Sequence, residues 1–339
     1  MGGNSSTPER PPIASQLYEM SFAEEKKERD KAIEEVEKDG MSLRNKSDRL
    51  KGDIFVVEAA VRKNGLALQY VSEERKDCWD VVLDAVKQNG MALEFVGDKR
   101  YVYAGDKELT KEAVKQNGLA LQFASEALKP NRDVVKLAVG QNGLALQFAA
   151  EALKRDRDVV TLAVGKDGLA LKFASKALKN DHDVATLAVG KDGLALEFAS
   201  EALRNDHGVV TLAIEQNGLA LEFAPEALKN DPLVALRAVG NKGLALQFVA
   251  DDLKEEKGMV LAAVRANGLA LVYSADSLKS DKEVVLHAIR ENGLALQFAS
   301  DSLKRDKEVV LAAVKKNKKS IRFAAEALTT DPDVQRHLR

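Results

Sequence analysis

The chain has 339 residues, of which 45% are hydrophobic and 31% are charged, and this balance excludes a chain that is disordered throughout. Lysine and arginine total 51 against 53 aspartates and glutamates, and the resulting net charge of −2 argues against a dedicated binder of nucleic acid or anionic lipid. The single cysteine, Cys78, excludes an internal disulfide framework and suits a reducing compartment.

Residues 1–18 are predicted to form a flexible tail that carries a lipidation motif. The first residues, MGGNSST, match M-G-x-x-x-[ST], so Gly2 is a candidate for N-myristoylation once Met1 is removed. The alternative is a polar tail that matches by chance. One myristoyl chain gives only weak membrane association. No apolar run reaches the ~18 residues of a membrane helix, and we predict a cytoplasmic protein that is peripheral to a membrane if Gly2 is acylated.

Residues 19–39 are predicted to form a charged capping helix. They are helix-prone and far more charged than the residues that follow, yet Ile33 and Val36 keep an apolar spacing. Polar ends of this kind stop a repeat protein from stacking without limit.

Residues 40–317 contain a tandem repeat of 25 residues. Altered copies of its Gly-Leu-Ala-Leu phrase begin at Gly65 and Gly90, and the step of 28 from Gly90 to Gly118 indicates a three-residue insertion near 97–105. We count eleven copies, followed by a partial capping copy over 318–339. The glycines of the near-perfect copies are Gly118, Gly143, Gly168, Gly193, Gly218, Gly243, Gly268 and Gly293.

Each repeat predicts a small helical hairpin. With the glycine numbered as position 0, the copy at Gly293 places Asp306 as the N-cap of a helix. The apolar side of that helix consists of Val309, Val310, Ala313 and Val314. We expect the Asn-Gly or Asp-Gly dipeptide to stop the helix in the left-handed conformation. The segment after the glycine predicts a short helix, a bend and a further helical turn.

Hairpins of this size cannot cover their own apolar faces and bury them by stacking on neighbours. The predicted fold is therefore all-α, an α-solenoid of about eleven to twelve 25-residue helical-hairpin repeats. Nine of the eleven phenylalanines fall at position 5. Such a column could stack bases or a cofactor, but it lies on the apolar arc, and we predict that the rings lie inside as a core column.

The phrases DKEVVLAAVKKN, residues 306–317, and NGLALQFAS, residues 292–300, closely resemble the tandem repeats of domain of unknown function 4116. The resemblance covers about residues 40–339. It implies a helical repeat fold, and it implies no established activity, so no catalytic residue can be carried over.

No catalytic constellation is visible in the sequence. It contains no paired nucleophile and base, no phosphate-binding glycine loop and no metal-ligand spacing. His182 and His207 occupy position 14 of adjacent repeats, but a metal site there needs a third ligand. We therefore predict no catalytic, cofactor or metal site and no enzymatic activity. An enzyme with a site between repeats is the alternative, although no pair of titratable residues recurs in an apolar setting.

A basic residue recurs at position 11, as in Lys154 and Lys229, and could track a phosphate backbone. An acidic residue at position 8, such as Glu151 or Glu226, lies three residues earlier and is close enough to pair with it. The expected pairing argues against nucleic acid as a partner.

Two variable columns are the candidate partner surface. Position 4 is an outward row that packing does not dictate, with Gln122, Gln147, Lys172, Glu197 and Glu222. Position 22 is glycine in four repeats, at Gly140, Gly165, Gly190 and Gly240. These glycines are explained either by helix termination or by a shallow strip where the backbone or a helix of a partner comes close.

The leading functional prediction is a non-enzymatic helical-repeat scaffold that mediates protein–protein interaction, with a partner that the sequence does not identify. The alternative is a structural linker subunit built into a large, membrane-associated assembly through an N-myristoylated Gly2. Either role is compatible with a monomer or with a component of a hetero-complex.

Overall fold

The computed structural model of the protein describes residues 13–96 and 103–338. These residues form α-helices and 3-10 helices, and no strand occurs among them. The chain divides into two compact units, one that ends at Ala149 and one that begins at Ala150. Each unit is a stack of the predicted repeats, so the predicted all-α solenoid is confirmed.

A helix of 26 residues, α1, precedes the repeats and spans Ile13–Lys38. Residues 13–18, which the sequence analysis assigned to the tail, therefore belong to a helix. The physical reason is that the sequence from 13 to 39 contains neither proline nor glycine, the two residues that most often interrupt a helix. Ala32 and Val36 of α1 are buried against the first repeat.

Every complete repeat contributes one helix of ten residues, which we call its long helix. In the N-terminal unit these are α2 (Ile54–Lys63), α3 (Trp79–Gln88), α4 (Lys107–Gln116) and α5 (Arg132–Gln141). In the C-terminal unit they are α6 (Arg157–Lys166), α7 (His182–Lys191), α8 (His207–Gln216), α9 (Pro232–Asn241), α10 (Lys257–Ala266), α11 (Lys282–Glu291) and α12 (Lys307–Lys316). The partial copy contributes the shorter α13 (Pro332–Arg336).

The predicted N-cap of the long helix is confirmed. The Asp306 carboxylate accepts from the backbone amides of Glu308 at 2.9 Å and Val309 at 3.3 Å. These amides have no partner within the helix, and the cap satisfies them. The four residues predicted on the apolar side of α12 are fully buried.

The segment that follows each long helix is a 3-10 helix of six residues that begins at position 0. In the N-terminal unit these helices are Gly40–Asn45, Gly65–Tyr70, Gly90–Phe95, Gly118–Phe123 and Gly143–Phe148. In the C-terminal unit they are Gly168–Phe173, Gly193–Phe198, Gly218–Phe223, Gly243–Phe248, Gly268–Tyr273, Gly293–Phe298 and Lys318–Phe323. A bend and a further helical turn follow, as predicted.

The expected left-handed stop between the two helices is wrong. No described glycine has a positive φ, and Asn292 is extended, with φ −145° and ψ 110°. Its side chain caps the 3-10 helix by accepting from the amide of Leu294 at 3.0 Å. The glycine is needed instead because the long helix that follows in the same repeat comes close. A Cβ on Gly193 would lie 2.2 Å from the carbonyl oxygen of Ala213.

The further turn is a one-turn α-helix in most repeats. The instances are Asp48–Lys51, Glu73–Lys76, Lys176–Lys179, Glu201–Arg204, Glu226–Lys229, Asp251–Lys254, Asp276–Lys279, Asp301–Lys304 and Glu326–Thr329, with a 3-10 turn at Leu153–Arg155. In most repeats the residue before the turn links neighbouring repeats through its backbone. Ser300, for example, donates its amide to the carbonyl of Lys279 at 2.9 Å. Pro225 occupies this position in its repeat and has no amide hydrogen to donate.

The described part of the predicted insertion shows the same link. The amide of Ser125 donates to the carbonyl of Ala104 at 2.8 Å. Ala104 thus accepts the hydrogen bond that the residue at position 11 accepts in other repeats, although it lies three residues further from its glycine, Gly90, than usual. Residues 97–102 of the predicted insertion lie outside the described residues.

Within each unit the repeats form two layers with the core between them. Long helices pack on the long helices of neighbouring repeats, and 3-10 helices pack on neighbouring 3-10 helices. The core takes valine and alanine from the long helices and the Ala-Leu pair from each 3-10 helix, as in Ala295 and Leu296. Continuous apolar burial of this kind stabilises repeats that cannot fold alone.

The predicted core column of phenylalanines is only half correct. Phe173, Phe198 and Phe223 are half-buried. The prediction assumed 100° per residue, whereas a 3-10 helix turns about 120° per residue. Position 3 therefore lies above position 0 and position 5 above position 2, which is buried, but position 5 is the last residue of the 3-10 helix and is only half-buried.

Candidate protein-docking face

The outward side of the long helices in the C-terminal unit is the strongest candidate site. In α7 the inward side chains Val184, Ala185, Ala188 and Val189 are buried. The helical period then turns positions 14, 15, 18, 19, 22 and 23 toward solvent. What these six positions hold decides the chemistry of the outward side.

Apolar side chains lie on the outward side of α6, α7, α8 and α9. Position 19 is leucine in the first three of these helices and arginine in α9. Leu162 is 41% exposed, and Leu187 and Leu212 are half-buried. In α9 the exposed leucines are Leu233, at 72%, and Leu236, at 45%. We call this set the leucine face; its members are Leu162, Leu187, Leu212, Leu233 and Leu236. Large apolar side chains so placed mark an interaction surface more often than a single exposed leucine does.

The glycines at position 22 lie within this surface. Gly165, Gly190 and Gly240 precede the last residues of α6, α7 and α9, so they do not terminate these helices. Termination, one of the two explanations drawn from the sequence, is therefore wrong for them. Gly140, in the N-terminal unit, likewise lies before the last residue of α5.

Neither backbone conformation nor internal packing requires these glycines. Their φ angles are not positive. A Cβ on Gly165 or Gly190 would lie 3.8 Å from the Cδ2 atom of Leu187 or Leu212, which is an ordinary contact, and a Cβ on Gly240 would meet nothing within 4 Å. A glycine inside a helix costs roughly 0.5–1 kcal/mol relative to alanine. The three glycines therefore lower the stability of the unit without an internal reason.

The two edges of the leucine face differ in how their charged side chains are paired. A cation at position 14 bridges to two acids of the next repeat, and Lys257 lies 2.7 Å from Asp281 and 2.8 Å from Glu283. The hydrogen bond from Lys257 lowers the pKa of the Asp281 carboxyl. The same pattern joins Arg157 to Asp181 and Asp183, Lys282 to Asp306 and Glu308, and Lys307 to Asp331 and Asp333.

This column of ion pairs is interrupted at the leucine face. Position 14 holds His182 in α7, His207 in α8 and Pro232 in α9. Among the residues that the structure describes, no ion pair starts from these three positions. The Nδ1 atom of His207 lies 3.4 Å from the hydroxyl of Thr211 in the same helix. The charges that remain on the outward side of these three helices are Asp183, Lys191 and the ion pair of Arg237 with Glu215, whose atoms lie 2.8 Å apart.

The other edge of the leucine face is basic. Lys166 and Lys191 are exposed at the C-terminal ends of α6 and α7, and within the described part of the chain neither forms an ion pair. Lys191 borders a surface depression of about 480 Å³ that Asp183, Thr186, Leu187 and Gly190 also line.

The predicted row at position 4 does not belong to this face, because it lies in the layer of 3-10 helices. Lys172, Glu197 and Glu222 are exposed, whereas Gln122 and Gln147 are half-buried. Glu222 lines a separate depression of about 340 Å³ together with Arg204, Phe223 and Pro225. The Nζ atom of Lys172 lies over the Phe198 ring, 5.7 Å from its centre, in a cation–π contact.

The predicted pairing of positions 8 and 11 is confirmed. Lys154 lies 2.9 Å from Glu151, and Lys229 lies 3.0 Å from Glu226. Most of the basic column is thus paired within its own repeats, and Lys179 is an exception because position 8 of its repeat is Lys176.

No group of three potential ligands lies close enough to hold a metal ion in the parts of the chain that the structure covers. His182 and His207 are exposed on different long helices. Within the same described ranges, no helix has the length and apolar character needed to cross a membrane. The candidate lipidation residue Gly2 lies outside the described residues.

The chain belongs to the family described as domain of unknown function DUF4116. The family model matches nine overlapping segments: 31–76, 56–100, 106–154, 156–204, 181–229, 206–254, 231–279, 257–304 and 281–329. This confirms the resemblance seen in the sequence. No curated protein and no solved structure matches the chain.

Sequence reasoning found the glycines of the candidate face but missed its leucines. The signal was available, because Leu162, Leu187 and Leu212 recur at one position, three residues before position 22. Residues three, four and seven apart share one side of an α-helix. Positions 15, 19 and 22 can therefore be grouped from the helical period alone.

Proposed function

We propose that the protein is a non-enzymatic scaffold of helical repeats that binds another protein through the leucine face. The observation that carries this proposal is the set of glycines at 165, 190 and 240, which cost stability and serve no internal contact. A partner that must come close to the helix backbone gives them a purpose. The exposed leucines supply the apolar area that such a contact needs.

The absence of enzymatic activity is part of the proposal. It is supported by the local pairing of the recurrent charges at positions 8 and 11 and by the bridges that position 14 makes to the next repeat. Charges engaged in this way stabilise the stack, and the same pairing argues against a phosphate backbone as partner.

A photo-crosslinking amino acid at position 187 tests the proposal in native cells. The matched control places the same amino acid at Ala262, which occupies position 19 of α10 outside the leucine face. We expect position 187 to crosslink a protein that position 262 does not. The change Gly190→Arg should abolish that crosslink without unfolding the chain, because Arg265 and Arg290 occupy the same repeat position. Identical crosslinks from both positions would contradict the proposal.

The second candidate function is a linker subunit held in a large membrane-associated assembly by a myristoyl chain on Gly2. The match of the N-terminal residues to the acylation motif supports it. In this case a cytoplasmic scaffold becomes peripheral to a membrane. Fractionation of wild type and Gly2→Ala tests it, and an equal distribution of both between membrane and soluble fractions would reject it.

A further inference from the structure

The leucine face places one apolar residue on each of several adjacent helices. Packed helices lie ~8–10 Å apart, so Leu162, Leu187 and Leu212, which share one repeat position, form a row with about that spacing. An α-helix advances about 10.5 Å in seven residues and returns to nearly the same side. A helix with apolar residues every seventh position therefore matches the row, one residue for each repeat.

A segment that binds to the leucine face must also satisfy the hydrogen-bonding groups of its own backbone. An extended peptide brings backbone donors and acceptors that need partners from the protein. Besides leucine side chains and glycine Cα atoms, the outward side carries Asp183 and the ion pair of Arg237 with Glu215, and these do not form the regular row of donors and acceptors that an extended backbone needs. The backbone beneath belongs to long helices with internal hydrogen bonds. A helix satisfies its own backbone groups, and it can lie on such a surface without losing hydrogen bonds. Gly165 and Gly190 give it room to approach closely.

The charged residues beside the leucine face determine which edge of the bound segment must be acidic. Lys166 and Lys191 border one edge of the face and lack ion pairs within the described residues. At the other edge Arg157 is neutralised by Asp181, at 3.0 Å, and by Asp183, at 2.7 Å. Electrostatic complementarity therefore calls for acidic residues on the side of the occupant that faces the two lysines.

We infer that the leucine face binds an amphipathic helix of a partner protein, with apolar residues at heptad spacing and an acidic edge against Lys166 and Lys191. The inference rests on the proposed function and names the chemistry of the partner. A helix of about 20 residues spans the four long helices α6 to α9.

The test uses the full chain and fluorescent synthetic helices of about 20 residues. The first carries leucines at heptad spacing with glutamates along one edge, the second replaces the glutamates with lysines, and the third has a central proline that breaks the helix. By fluorescence anisotropy we expect the acidic helix to bind about tenfold or more tightly than either of the others. Equal binding of the three peptides, or no binding of the acidic one, would overturn the inference.

Variants of the chain localise the binding. Gly190→Arg should weaken binding of the acidic helix about tenfold or more. The double variant Lys166→Glu and Lys191→Glu should bind the basic helix more tightly than the acidic one. Gly258→Arg in α10, where a Cβ meets nothing within 4 Å, is the control and should leave binding unchanged. Binding that survives both changes to the face would also contradict the inference.

The crosslinking experiment separates this inference from the proposed function. A crosslinked partner that contacts position 187 through a segment other than an acidic helix would overturn the inference and leave the scaffold function standing. A second copy of the chain as the crosslinked species would replace the partner protein with self-association.

Discussion

The Nζ atom of Lys282 lies 2.8 Å from the Oδ2 atom of Asp306, the carboxylate that caps the long helix of the next repeat. One side chain therefore serves two purposes, since Asp306 also accepts from backbone amides at the start of α12. The cap of each helix is in this way tied to the neighbouring repeat, and local helix stability is coupled to stacking.

This pairing predicts a defined response to acid. The hydrogen bond from Lys282 lowers the pKa of the Asp306 carboxyl. A depressed pKa contributes stability that is complete above the unfolded value of about 3.9 and is lost as pH falls through the folded value. We expect Lys282→Met to bring the Asp306 pKa back toward its ordinary value, measured by NMR titration of the carboxyl.

Lys279→Met is the control for that experiment. Lys279 pairs with Asp276 inside its own repeat, and its loss should leave the titration of Asp306 as it is in the wild type. An Asp306 carboxyl that titrates identically in all three proteins would show that Lys282 does not act on it.

A missing cap predicts a stabilising substitution. Glu256 occupies the N-cap position of α10, and its side chain accepts no capping hydrogen bond. Asp281 occupies the same position in the next repeat and accepts from Glu283 at 2.9 Å. Because aspartate has the length that the cap requires, Glu256→Asp should raise the free energy of unfolding by about 0.5–1 kcal/mol in urea denaturation.

The same substitution at Glu255 provides the comparison. Glu255 is exposed and precedes the cap position, so Glu255→Asp should change stability by less than about 0.5 kcal/mol. Equal effects of the two substitutions would refute the role assigned to the cap.

The two classes of glycine predict opposite effects of alanine. Gly193→Ala would place a Cβ 2.2 Å from the carbonyl oxygen of Ala213, and forcing α8 away from the 3-10 helix that begins at Gly193 should cost about 1–3 kcal/mol. Gly165→Ala would make an ordinary contact of 3.8 Å with Leu187 and should stabilise the chain by up to about 1 kcal/mol. Thermal denaturation of both variants measures the difference, and a common sign of effect would be inconsistent with these contacts.

Removing the glycines of the leucine face should separate stability from binding. The triple variant Gly165→Ala, Gly190→Ala and Gly240→Ala should melt at a higher temperature than the wild type, because alanine favours the helix. We expect it to capture less of the crosslinked partner. Gly258→Ala makes the same gain in helix propensity in α10, outside the leucine face, and should leave capture of the partner unchanged. A triple variant that captures the partner as well as the wild type does would remove the functional reason for the glycines.

The parts of the fold that follow from short-range rules could be predicted from the sequence. Asp306 as a cap and Val309 and Val310 as buried residues follow from side-chain length and helical period. The 3-10 helices could not be predicted in the same way, since their sequence also fits an α-helical pattern. Their conformation depends on the caps at residues such as Asn292 and on the approach of the long helix that follows.

The reason for each repeated glycine likewise could not be predicted from the sequence, because it depends on a packing contact. An Asn-Gly dipeptide is typical of a left-handed turn, and only the packed neighbour reveals that Gly193 makes room for Ala213. For the candidate site, the sequence supplied Gly165 and Gly190 as a variable column. It did not separate that column from Lys172 and Glu197, which lie in the other layer of the unit.

The contact between a position-0 glycine such as Gly193 and the alanine twenty residues later lies within one copy of the repeat. A duplication of 25 residues therefore carries this contact with it, and the chain can lengthen without compensating changes elsewhere. The interior positions must stay constant from copy to copy. The outward positions are not constrained in this way, so some copies can carry the leucine face while others keep their ion pairs, and a protein built from a single motif can present different surfaces along its length.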